Sequence, residues 1–136
     1  MKKPKQRKNE PEKEKSADAA YNPDVHPPRF SFRLIVKDPK FSYQSLSQEN
    51  KVALINRLNV LGNISWKDLR SLDRCRGYEI IERSQLNFAV PDEVPADYNV
   101  IRFRFCDAVA MLGYRSAFGT FYIIAFDAKF KAYGHG

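Results

Sequence analysis

The residues best suited to chemistry lie in the last third of the chain. Lys129, Lys131, Tyr133 and His135 fall within seven residues, and Arg102, Arg104 and Arg115 precede them. Scission of an RNA backbone without a metal needs a group that activates the 2′-hydroxyl, positive charge on the phosphate, and a proton for the leaving oxygen. Arginine suits the second task because its planar fork matches phosphate oxygens. Tyr133, His135 and Lys131 are the candidates for proton transfer, with Arg115 as the transition-state cation. Tyrosine and lysine ordinarily titrate near ~10 and need tuning for such work, whereas histidine changes charge near neutrality unaided. Arg102, Arg104, Lys129, Arg74 and Arg76 are the candidates for holding the backbone of the RNA. A plainer expectation stands beside this one: arginines alternating along a half-exposed strand also make an ordinary solvated face.

Other chemistries find little footing. Two histidines and two cysteines, with no CxxC or CxxH spacing, leave most metal schemes short of ligands, so no metal and no cofactor is expected. A glycine-rich phosphate loop and a GxSxG nucleophile turn are both absent. Cys75 and Cys106 read as reduced thiols, which fits a cytoplasmic protein. The basic start is not followed by an apolar segment, and no apolar run approaches the ~20 residues of a membrane span, so neither a secretory leader nor a membrane partner is expected.

The 136 residues have room for one domain and a tail, and 43% apolar with 13% aromatic content can fill a core. A formal charge of +7 points to a polyanion as partner. Residues 1–28 are rich in Lys, Glu and Pro and poor in apolar side chains, which predicts a disordered charged tail. Residues 29–136 then form a single domain.

The elements that would position the candidate groups follow from periodicity. Arg29 to Lys37 reads as a first strand. Ser47 is a suitable N-cap for a helix to Leu61, with Val52, Ile55, Leu58 and Leu61 on one apolar face, Leu54 beside them and Gly62-Asn63 as its stop. A short helix from Ser65 to Ser71 turns Trp66 and Leu69 inward, and Trp66 reads as core rather than a ligand platform. Tyr78–Glu82 is a candidate short strand. Ile101-Arg102-Phe103-Arg104-Phe105 alternates with period two, Ala108 to Tyr114 continues apolar, and Thr120 to Phe126 is apolar on both faces. A run of that last kind belongs inside a sheet or under a helix. The expectation is an α+β fold: an antiparallel sheet of about four to five strands, two helices from the N-terminal half packed on it, in β-α-α-β-β-β order.

That order, in a small basic chain whose last strand carries Arg, Lys, Tyr and His, resembles the RelE/ParE-type toxins. The resemblance implies a toxin-type, metal-independent endoribonuclease acting on RNA or at the ribosome, with an antitoxin as protein partner. The terminal segment, Gly113-Tyr114 with Phe121-Tyr122-Ile-Ile-Ala-Phe126-Asp127 and Tyr133, is also similar to a set of uncharacterised small bacterial proteins. The chain departs from their pattern at Phe130, where a His is frequent, at Ala110, where an Arg is common, and at Arg74-Cys75-Arg76-Gly77, which lacks the His of their R-C-H segment. These departures favour a second reading, a noncatalytic nucleic-acid- or protein-binding module on a degenerate toxin-like fold, associated with defence or a mobile element.

Overall fold

A computed structural model describes residues 21–128, so Lys129, Lys131, Tyr133 and His135 lie outside the described residues, as does the tail to residue 20. The fold is α+β: a five-stranded open sheet with two helices, one long and one short. In chain order the elements are β1 (Arg29–Ser31), α1 (Gln48–Leu61), α2 (Trp66–Ser71), β2 (Glu79–Ile81), β3 (Val100–Cys106), β4 (Val109–Arg115) and β5 (Thr120–Asp127). Across the sheet they run β1-β5-β4-β3-β2.

β2, β3, β4 and β5 pair with one another antiparallel, as the short turns between β3, β4 and β5 require. Asp107, with φ of 51°, makes the first of these turns, and Gly119, with φ of 91°, the second. The first strand departs from expectation. It ends at Ser31 rather than Lys37 and pairs with β5 in parallel, so the sheet is not wholly antiparallel. A turn at Arg33-Leu34 breaks the alternation and sends Leu34 and Ile35 to opposite faces of the sheet. The chain rejoins β5 through the Val36 N–H, which donates to the Ile124 carbonyl at 2.8 Å.

Every residue of β5 is buried because both faces of the sheet are covered. One face packs under the helices, with Trp66, Phe103, Phe121, Ile123 and Phe126 at its centre. The other, with Tyr114, Tyr122, Ile124 and Ala125, lies under irregular chain carrying Leu34, Phe41, Phe88 and Val94. A register shift opposite Leu112 and Gly113 lets Ile124 and Ala125 share that second face and returns Phe126 to the helix side. At Gly113 a Cβ would stand 2.1 Å from the Tyr122 carbonyl oxygen, so this strand crossing admits only glycine.

α1 begins where expected: the Ser47 hydroxyl accepts from the Asn50 N–H at 3.0 Å. Leu54 and Leu61 are buried beneath it, but Val52 and Ile55 face outward and are more than half exposed, so the helix is apolar on two sides. α2 is capped by Ser65, whose hydroxyl accepts from the Asp68 N–H, and buries Trp66 and Leu69 completely. Residues 21–28, assigned to the tail by composition, carry structure. Pro23–Val25 forms a 3-10 turn, Pro28 is buried, and the His26 carbonyl accepts from the Trp66 N–H at 3.1 Å. His26 itself is exposed and stacks on Tyr21.

Candidate functional site

The arginines of the two long strands meet quite different fates. Arg102 points away from the helices, and its side chain is 1% exposed. Its cross-strand neighbour in the register is Glu79, whose carboxylate holds one guanidinium nitrogen at 3.2 Å, while the Ala108 carbonyl accepts from another at 2.8 Å. Those contacts close off the group from a phosphate, so Arg102 braces β2 against β3.

Arg115 is held too. Its guanidinium lies 4.8 Å from the Trp66 ring centroid and donates to Asp24 Oδ1 at 2.9 Å. Arg70 grips the same carboxylate at 3.2 and 2.6 Å. Hydrogen bonds from Arg70 and then Arg115 pull the Asp24 carboxyl down to about 2. Beneath them the Trp66 indole N–H donates to the Gly119 carbonyl at 2.8 Å. One carboxylate between two arginines makes a latch joining the N-terminal turn, α2 and the β4–β5 turn.

Arg104 sits where β2 has run out. β2 covers only Val100 to Arg102, so the remaining half of β3 offers an open edge. From above, Arg57 of α1 reaches that edge: its Nε donates to the Arg104 carbonyl at 3.1 Å and its Nη2 to the Arg76 carbonyl. Burial pulls the Arg57 pKa down from its ordinary value. The Arg104 guanidinium donates to the Cys75 sulfur at 3.3 Å, and its buried Nε meets no acceptor among the described residues. Both arginines line one recess of about 300 Å³, together with Cys75, Phe105, Cys106 and Asp107. Cys75 and Cys106 are free thiols.

The loop from Asp73 to Gly77 borders this recess. Asp73 ties it together, accepting from the Cys75 and Arg76 N–H groups at 2.9 and 3.0 Å and from Arg76 Nε at 3.3 Å. The backbone donors of Arg76 and Cys75 lower the Asp73 pKa, with the Arg76 side chain adding to them. Arg74 and Arg76 are both exposed on this loop.

The structure thus brings Arg104, Arg74 and Arg76 to one end of the sheet and leaves Arg102 and Arg115 in separate structural roles. It adds Arg57, which the sequence reading missed. The signal for it was present: Arg57 lies three residues after Leu54 and four before Leu61, a cation on the helix's buried stripe. Such a group must find acceptors, and here they are the carbonyls of an unpaired strand edge and a loop. Among the described residues no group of three or more His, Cys, Asp or Glu is placed to hold a metal ion, and no helix is long and apolar enough to cross a membrane. Comparison with protein families, curated proteins and solved structures finds no match to this chain.

Proposed function

We propose that this chain is a noncatalytic nucleic-acid-binding module that engages the phosphate backbone through Arg57, Arg104, Arg74 and Arg76. The observation that carries the reading is the pairing of Arg57 and Arg104 around one recess in which their acceptors are carbonyls and a thiol, not carboxylates. Two guanidiniums that share a small space repel each other, and an anion between them relieves that repulsion while gaining charge-assisted hydrogen bonds. Among the described residues Asp107 is the one carboxylate on the recess wall, against the two guanidiniums of Arg57 and Arg104. The +7 charge of the whole chain supports a polyanion as the long-range partner.

The test is a paired substitution, Arg74→Ala with Arg104→Ala, assayed on a fluorescent single-stranded RNA. Loss of two phosphate contacts predicts a fall in affinity of about tenfold or more at low salt. Unchanged affinity in a folded variant removes the patch from the interface.

A second reading keeps the toxin-type endoribonuclease, and one observation favours it. Arg104, Ala110 and Asp127 share a row across β3, β4 and β5, so β5 ends at the end of the sheet that carries the recess, with Asp127 about 10 Å from Arg104 across two strands. Lys131, Tyr133 and His135 follow within a few residues. A cleavage assay in chelator separates the readings. The binding-module reading predicts intact RNA. Cleavage that His135→Ala with Tyr133→Phe abolishes, at an unchanged thermal midpoint, assigns the chemistry to the terminal residues instead.

A further inference from the structure

On the other flank of α1 lies a larger recess with the opposite character. It is an open groove of about 620 Å³ whose floor is Leu46, Leu54 and Phe126, all buried. Its rim is Phe32, Tyr43 and Ile55, each more than half exposed. Three large apolar side chains at the lip of an apolar cleft are costly to leave in water, and Val52 extends the same surface along the outer side of α1. The outward stripe of α1 explains why the helix is apolar on two sides: one serves the core and the other this groove.

The charge on the rim is of one sign. Lys37 and Lys51 line the groove, and among the described residues no aspartate or glutamate does. The apolar surface also runs past the cleft to Val52, beyond what a compact small molecule would cover. We infer that the groove docks a segment of a partner protein that carries an aliphatic or aromatic anchor flanked by carboxylates, the anchor entering over Phe126 and the acidic flank meeting Lys37 and Lys51. The cations fix the orientation of the segment and repel basic competitors, while burial of Phe32, Tyr43 and Ile55 supplies affinity. This surface is independent of the Arg57–Arg104 recess: it asks for apolar anchors with acidic flanks, whereas phosphate offers charge alone.

The experiment is selection of binders to the full chain from a random peptide display library of about 16 residues, followed by methyl NMR mapping of the enriched peptides. Expected are peptides with one or two large apolar residues and neighbouring Asp or Glu, which shift the Leu54 and Ile55 methyl signals and spare the Arg104 amide. Ile55→Asp and Lys51→Glu, both at exposed positions, each weaken those peptides by about tenfold or more, while Arg74→Ala with Arg104→Ala leaves them unchanged. Enriched peptides that lack carboxylates, or that map to Arg104, overturn the inference. So does a dimer in sedimentation velocity that Ile55→Asp dissolves, because the groove would then belong to a second copy of the chain.

Discussion

Two arginine clusters on this small fold differ in one respect that decides what each can do. At the latch, Arg70 and Arg115 close on Asp24, and Trp66 lies flat beneath Arg115. At the recess, Arg57 and Arg104 close on carbonyl oxygens and a sulfur. The first cluster has its anion built in and holds three parts of the chain together. The second has two guanidiniums that no carboxylate among the described residues pairs, at an edge that β2 leaves open. An arginine's role therefore follows from what faces it, and a strand can carry one of each kind: Arg102 and Arg104 are two residues apart, yet one is braced by Glu79 and the other borders a recess.

The largest loss is expected at the floor of the latch. Trp66→Ala removes a fully buried ring that contacts Tyr78, Phe103 and Phe121, and should destabilise the fold by about 3–5 kcal/mol in urea titration. A loss under about 1 kcal/mol would mean that the core does not depend on that ring. Next in size is Arg102→Met, which leaves Glu79 without its buried partner. The expected loss is about 2 kcal/mol, below that for a fully buried pair because Glu79 keeps some solvent. The matched substitution Arg104→Met should cost less than about 1 kcal/mol, and equal losses at the two positions would erase the distinction between them.

The smallest effect is the latch's own charge. The Asp24 carboxyl titrates at about 2 in the fold against an ordinary 3.8, so its contribution is complete above the ordinary value and is lost as pH falls towards about 2. With Arg70 half in solvent the contribution is about 1 kcal/mol or less. Asp24→Asn should therefore lower the urea midpoint slightly at about pH 6 and leave it close to wild type at about pH 2. A wild-type-to-variant gap that widens with acid would contradict the latch.

Much of the architecture could be read from residue patterns, and the exceptions have physical causes. Ser47, Gly62 and Ser65 mark helix ends through local hydrogen bonds, while β3 declares itself by alternation and β4 and β5 by continuous apolar runs. Val52 and Ile55 misled because helical periodicity identifies apolar stripes without saying which of two stripes the sheet will take. Phe32 fits the alternation begun at Phe30, but the strand has already ended at Ser31. The parallel pairing of β1 with β5 depends on a contact between chain segments some ninety residues apart, beyond the reach of local pattern. Among the candidate site residues, the fates of Arg102 and Arg115 turn on Glu79 and Asp24, both distant in sequence.

Whether Arg74 and Arg104, which no carboxylate among the described residues pairs, grip phosphate at the open end of β3 is read from the salt dependence of single-stranded RNA binding. Each neutralised phosphate contributes a slope of about −0.7 in log affinity against log salt. Wild type should bind with a slope of about −2 or steeper, and Arg74→Ala with Arg104→Ala should flatten it by about 1.4 while the fold stays intact. An identical slope in the two proteins, or wild-type binding indifferent to salt, would contradict that grip.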